Sequence, residues 1–119
     1  MRMWKTIYDY LKSKGFDVYA LGQHTGTCKT PYIVIRNNGD GARGITMEQT
    51  LYELLLYYPS DFYYQFEDYI DSVKQSMNGL FPTLKLVDGP SPHYLDPDVL
   101  GYMTNLTYRL IKESKVNRN

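Results

Sequence analysis

The feature that most constrains the fold is an amphipathic segment in the middle of the chain, SDFYYQFEDYIDSVKQSMNG, at residues 60–79. Four of its apolar side chains follow one another at spacings of four, three and four, namely Phe66, Ile70, Val73 and Met77. This periodicity places the four side chains on one stripe of an α-helix, and Gly79 predicts where the helix ends. We expect the stripe to face a sheet formed by the rest of the chain.

Alternation of side chains predicts most of that sheet. In YMTNLTYRLIK (102–112), Tyr102, Leu106, Tyr108 and Leu110 share one face, whereas Met103, Asn105, Thr107 and Arg109 share the other. This pattern predicts a long strand with one half-polar face. Three further segments predict strands by their β-branched residues or alternation, at 16–21, 31–37 and 83–88. The run TLYELLLYY (50–58) has helical spacing but also suits a buried strand, and its aromatic ending and short length favour the strand.

The N-terminal segment adds a second helix. Trp4, Ile7, Tyr8 and Leu11 follow helical spacing, which predicts an amphipathic helix over residues 3–14 that stops at Gly15. The polar stretch 22–30 and the proline-rich stretch 89–101 are predicted loops. The 119 residues therefore predict a single α+β domain with element order αβββαββ, and we expect its C-terminal tail, residues 113–119, to be frayed.

A glycine-rich stretch, NNGDGARGIT (37–46), contains the spacing G-x-G-x-x-G at Gly39, Gly41 and Gly44. A dinucleotide site requires a helix to open near the third glycine, but Ile45 and Thr46 instead favour a return to β-structure. We therefore interpret residues 38–46 as the long, mobile tip of a β-hairpin, because asparagine, aspartate and glycine all tolerate positive φ.

Other candidate chemical groups are sparse. Cys28 and His24 lie four residues apart without a third orienting group, and two histidines with one cysteine make a poor zinc site. Asp96 and Asp98 flank a proline, which is typical of a turn as well as of paired catalytic carboxylates. The basic residues Lys29, Arg36 and Arg43, near Tyr19 and Tyr32, form a candidate nucleic-acid patch, although scattered surface charges explain them as well. We predict no catalytic residue, no cofactor and no metal.

Composition points to contacts with other proteins. Basic and acidic residues balance at 13 each, so the chain has no overall field that would attract a polyanion. Tyrosine accounts for 13 residues, and this side chain is enriched at protein interfaces, although a tyrosine-rich core explains the number equally well. The start MRMWKTIYDYLKSKG lacks the apolar run of a signal peptide, and no stretch approaches the roughly 20 apolar residues of a membrane span.

The order of elements, together with YYPSDFYYQFEDYIDSVKQSMNG and YLDPDVLGYMTNLTYRLIKES, resembles the tail terminator and tail-completion proteins of long-tailed bacteriophages and prophages. The resemblance covers nearly the whole chain. It implies a mixed, mainly antiparallel sheet of about four to five strands with two helices packed on one face. It also implies a hexameric ring that caps the tail tube, stops its polymerisation and gives the head a neck to dock on.

The resemblance also implies partners and a place of action. The partners would be other copies of the chain, the major tail protein and a neck protein, while DNA passes through the ring without specific binding. The protein would act at the head-proximal end of the tail in the virion, after assembly in the host cytoplasm. The chain either forms the ring in solution or remains a monomer until it meets the tail. Candidate interface residues in the two predicted loops are Asp40, Arg43, Ile45, His93, Tyr94, Asp96 and Asp98.

Three alternatives stay open at this point. A head-completion or minor capsid protein of the neck would use the same kind of surface. A small hydrolase or nucleotide-binding enzyme would use Asp96, Asp98 or the glycine-rich stretch. A nucleic-acid-binding adaptor would use Arg36 and Arg43.

Overall fold

A computed structural model describes the backbone of residues 3–42 and 47–113 and, within these ranges, the side chains of residues 3–39 and 49–110. Two α-helices and six strands make up the described chain. In chain order they are α1 (Met3–Ser13), β1 (Val18–Ala20), β2 (Tyr32–Ala42), β3 (Met47–Pro59), α2 (Phe66–Met77), β4 (Leu84–Asp88), β5 (Tyr94–Asp96) and β6 (Gly101–Glu113). The predicted α+β class is confirmed.

The six strands form one mixed sheet in which the order is β1-β2-β3-β6-β4. The β1 strand runs parallel to β2, and every other pairing is antiparallel. Along one edge β6 pairs with β3 over its whole length, and its other edge is shared by β5 near residue 102 and β4 near residue 108. The two strands at this edge of the sheet, β4 and β5, therefore both pair with the long strand β6.

Both helices pack on the same face of this sheet. The predicted stripe of α2 is fully confirmed, because each of its four side chains is at most 3% exposed. It joins one apolar core with residues of α1 and of the central strands: Ile7, Leu11, Ile33, Ile35, Leu54, Leu56, Leu106 and Tyr108. The hydroxyl of Tyr10 donates a hydrogen bond of 2.6 Å to the carbonyl of Ser76 and so joins the two helices directly.

The opposite face carries an aromatic stack at one end. Residues 21–30 fold beside it, so that the ring of His24 lies 3.8 Å from that of Tyr32, which in turn lies 4.7 Å from that of Tyr57. Tyr32 is only 2% exposed. A backbone hydrogen bond of 2.6 Å from the amide of Cys28 to the carbonyl of Val99 holds the segment to the loop before β6.

A polar network occupies the middle of that same face. The carboxylate of Glu53 is largely buried and accepts hydrogen bonds from the side-chain amides of Asn38 and Asn105. Its Oε1 atom also lies 3.2 Å from the guanidinium of Arg36. Because a buried charge is tolerated only when it is paired and hydrogen-bonded, this network satisfies Glu53 and ties β2, β3 and β6 together.

The glycine-rich stretch differs from the prediction. We expected a mobile loop from residue 38, but β2 continues to Ala42 and its backbone pairs with β3, including Asp40 with Thr50. A β-bulge between Asn37 and Asp40 allows the pairing to continue past Gly39. Gly39 adopts φ +100° there, and its backbone amide donates a hydrogen bond to the side chain of Asn37. Residues 43–46 lie outside the described residues.

Two further predictions need correction. The segment 89–101 is not a loop throughout, because Tyr94–Asp96 forms β5, which raises the strand count to six and lengthens the predicted order to αβββαβββ. The central helix is not continuous from residue 60, because Ser60–Gln65 forms a 3₁₀ helix broken at Phe62, whose φ is −131°. Both departures lie at the same end of the sheet. Most of the predicted tail, from residue 114 on, lies outside the described residues.

Candidate protein interface

One end of the sheet carries most of the exposed aromatic surface. Here β3 ends at Pro59 and β6 begins at Gly101, and these two residues are paired in the ladder. The 3₁₀ helix leaves β3 at this point, and β5 lies on the outer edge of β6. The end of the sheet is therefore surrounded by short, irregular elements.

These elements expose six large apolar side chains, which we call the end patch: Phe62, Tyr63, Tyr64, Tyr94, Leu95 and Leu100. Tyr64 is 76% exposed and the other five are between 43% and 53% exposed. A group of exposed apolar residues with a polar rim marks an interaction site more often than single exposed residues do. Tyrosine and phenylalanine are enriched in protein interfaces.

The end patch is held in place from beneath by ring contacts. The hydroxyl of Tyr63 lies 3.0 Å from Nδ1 of His93, and its ring lies 4.5 Å from that of Tyr102. The His93 ring also lies 4.9 Å from the buried Phe66. Because Tyr63 is fixed by these partners, the 3₁₀ helix presents its neighbours Phe62 and Tyr64 outward in a defined position.

Leu100 holds an unusual conformation within the patch. It is the one residue other than glycine in the described chain that has a positive φ, at +53°. That conformation costs a residue with a Cβ about 1–2 kcal/mol. Leu100 and Phe62 line the same open cleft of about 360 Å³. A large apolar side chain that is both strained and exposed adds little to the core, which makes Leu100 a candidate contact residue.

The short strand β5 presents a free edge beside the patch. In the described part of the chain its one strand partner is β6. An exposed strand edge offers unpaired amides and carbonyls to another chain. After β5 the chain turns sharply, because the carboxylate of Asp96 accepts a hydrogen bond of 3.0 Å from the amide of Asp98. This geometry is a local turn, as Asp-Pro favours, and it occupies one Asp96 oxygen.

The predicted interface residues fall into two separate groups. His93, Tyr94, Asp96 and Asp98 lie together at the end patch. Asp40 lies in β2 at the far end of the sheet, its side chain is not described, and Arg43 and Ile45 lie outside the described residues. The two ends of β6 are 12 residues apart, or about 40 Å at roughly 3.3 Å per residue. The described part of the glycine-rich stretch, through Asp40, and the segment 93–98 therefore lie at opposite ends of the sheet in a single copy of the chain.

Sequence reasoning missed Phe62, Tyr63, Tyr64, Leu95 and Leu100. Tyr64 carried a usable signal, because it precedes Phe66 by two residues and so points about 200° away from the buried stripe if the segment is helical. Leu95 and Leu100 carried none, since their exposure depends on how the segment docks on β6.

The environments of Cys28 and His24 do not suit nucleophilic chemistry. Cys28 is 3% exposed, and burial raises the pKa of its thiol to about 11, whereas a reactive cysteine has a lowered pKa. Its Sγ donates to the carbonyl of Thr30. The ring of His24 stacks on Tyr32. Within the described ranges, no group of three or more histidine, cysteine, aspartate or glutamate side chains is placed to hold a metal ion.

The glycine-rich and basic candidates can be placed in part, since Gly44 and Arg43 lie outside the described residues. Gly39 and Gly41 lie inside a strand, and the chain resumes as β3 at Met47 rather than as a helix. Tyr32 is too buried to stack on a base, and Arg36 pairs with Glu53. Where the structure describes the chain, no helix has the length and apolar character needed to cross a bilayer.

Comparison with protein-family models and with curated proteins finds no match for this chain.

Proposed function

We propose that this protein is a structural assembly protein of a long-tailed phage or prophage, a tail terminator or tail-completion protein that acts as a hexameric ring. The observation that carries the proposal is the end patch, where six large apolar side chains are exposed at the end of the sheet that also holds β5. An exposed apolar surface of this kind is typical of a contact with other chains.

The architecture supports the same proposal. The resemblance found in the sequence implies a mixed, mainly antiparallel sheet with two helices on one face, and the chain has that arrangement. Fold by itself does not imply function, so the proposal depends on the surface and on the resemblance together.

The end patch fits a ring contact between different surfaces of neighbouring copies. A head-to-tail contact closes a ring when its rotation returns to the starting copy. The β5 edge offers backbone pairing, and the exposed aromatic residues beside it offer contact area with little loss of side-chain entropy. The remaining surface of the ring would contact the major tail protein on one side and the neck protein on the other, while DNA passes through the channel. The place of action would be the head-proximal end of the tail.

The test is a tube-capping assay with the major tail protein that this proposal requires in the same genome. Polymerisation is followed by light scattering at increasing molar ratios of the added protein, and tube lengths are measured by electron microscopy. The wild-type chain is expected to shorten the tubes in proportion to its concentration. The double variant Tyr64→Ser/Leu95→Ser removes two exposed members of the end patch and is expected to weaken capping at least tenfold.

The matched control is Leu21→Ser. Leu21 is 64% exposed, and it follows β1 at the other edge of the sheet. This variant is expected to cap tubes as the wild type does. If the chain does not shorten tubes but binds the neck protein, it is a head-completion protein. If it does neither, the assembly proposal is wrong.

A further inference from the structure

Two positive charges lie directly opposite each other on β4 and β6. Lys85 pairs with Arg109 in the antiparallel register, so both side chains project from the same face of the sheet. Like charges at directly opposed positions of neighbouring strands destabilise a sheet. The pair is independent of the end patch and of the proposed assembly function.

Neither cation has an acidic partner among the side chains that the structure describes. The ion pairs found there join Lys5 with Asp9 and Arg36 with Glu53. The ammonium of Lys85 lies 5.7 Å from the centre of the Phe81 ring, a contact that leaves its charge in place. The repulsion between the two opposed cations is therefore uncompensated within the described chain.

Arg109 also has an unused donor. Its Nε atom is buried and has no hydrogen-bond partner in the described chain. Buried polar groups are normally hydrogen-bonded, and a buried N–H group without a partner is unfavourable. The guanidinium is therefore incompletely satisfied within the described chain, and a negatively charged ligand that contacts it would relieve the repulsion between the two cations.

A cleft is present where such a ligand would bind. It has a volume of about 320 Å³ and is lined by Pro82, Thr83, Lys85 and Arg109. Its polar groups are an ammonium, a guanidinium and a hydroxyl, all of which are hydrogen-bond donors. The two positive charges match the double negative charge of a phosphate, and guanidinium groups pair especially well with phosphate oxygens.

We propose that this cleft binds a dianionic phosphate group, either free phosphate or the terminal phosphate of a small monoester. A carboxylate would neutralise one charge of the pair, whereas a phosphate dianion neutralises both. The phosphodiester of a DNA backbone carries one charge per phosphate and therefore suits the pair less well.

The probe for the test is inorganic phosphate, titrated into the ¹⁵N-labelled full-length chain at constant ionic strength set with sodium chloride. The Nε–H resonance of Arg109 is expected to shift saturably. In Lys85→Gln, which changes an exposed side chain and should fold normally, the dissociation constant is expected to rise at least tenfold. Arg109→Lys keeps the charge but removes the planar guanidinium, and it should also weaken binding. Lys12→Gln on α1 is the control and should bind as the wild type does.

A second measurement separates binding from a general charge effect. In phosphate-free buffer of low ionic strength, Lys85→Gln should melt at a higher temperature than the wild type, because one of two opposed cations is gone. Added phosphate should raise the melting temperature of the wild type but not that of Lys85→Gln. The proposal is overturned if sodium chloride reproduces the phosphate effect, if Lys85→Gln binds as tightly as the wild type, or if a DNA duplex with 5′-hydroxyl ends displaces phosphate.

Discussion

Gly89 lies in the chain between β4 and the end patch, at a position where an added Cβ atom would collide with the backbone of β6. It follows β4 directly and adopts φ +102° beside the backbone of β6. A Cβ atom at this position would lie 2.4 Å from the carbonyl oxygen of Asn105 and 3.1 Å from the Cα atom of Leu106. Both atoms belong to the central ladder, so they cannot move aside as the end of a flexible side chain can. We therefore expect Gly89→Ala to be strongly destabilising.

The magnitude can be estimated with a matched glycine. Gly22 has a similar φ of +80°, but no atom lies within 4 Å of the Cβ that alanine would add. Gly22→Ala should therefore lower the free energy of unfolding only by the cost of holding alanine at positive φ, about 1–2 kcal/mol. Gly89→Ala adds overpacking against the backbone, typically about 1–3 kcal/mol, for a total of about 2–5 kcal/mol.

The assay is urea unfolding of the two variants and the wild type, followed by far-ultraviolet circular dichroism. The expected result is that Gly89→Ala loses about 1–3 kcal/mol more than Gly22→Ala, and that it also weakens tube capping because the segment leading to His93 and β5 is displaced. Equal losses for the two variants would refute the reasoning, because they would show that β6 does not approach Gly89 as closely as the structure has it.

Two further predictions concern buried polar groups. Cys28, whose thiol pKa is raised to about 11 by burial, should react with iodoacetamide at pH 8 about a hundredfold more slowly in the native chain than in urea; comparable rates would contradict its burial. Glu53→Ala should destabilise the chain by about 1–3 kcal/mol in urea unfolding, because it leaves the amides of Asn38 and Asn105 without their acceptor. Glu67→Ala, at an exposed position on α2, is its control and should change stability by less than about 0.5 kcal/mol.

The parts of the fold that the sequence predicts are those encoded by local periodicity. The stripe from Phe66 to Met77 and the alternation around Leu106 each require one face to be buried, and that requirement can be found within a dozen residues. The ambiguous run at residues 50–58 proved to be part of β3, as its aromatic ending favoured.

The missed parts depend on partners that are distant in the chain. Tyr94–Asp96 is too short and too near prolines to show strand periodicity, and it is a strand because β6 provides a ladder for it. The extension of β2 through Gly39 likewise depends on its pairing with β3 and on the bulge at which the register of the two strands shifts. Local composition predicts loops at both places because it contains no information about the neighbouring strand.

Only the part of the candidate interface that local composition marks as surface could be predicted from the sequence. His93, Tyr94, Asp96 and Asp98 belong to a segment whose prolines and acids mark it as a surface. Leu100 gave no such signal, because no pattern in the surrounding sequence predicts the positive φ of +53° at this leucine. The high tyrosine content has both of the explanations given for it in the sequence analysis. Tyr52 and Tyr108 are buried in the core, whereas Tyr64 and Tyr94 are exposed on the surface.

The most direct test of assembly through the end patch is electron microscopy of tail tubes grown in the presence of the wild-type chain. Image averages of the tube ends are expected to show a sixfold ring of added density at one end, with neighbouring copies touching through the 3₁₀ helix and β5. Tubes whose two ends are bare, or tubes decorated along their whole length, would contradict the account.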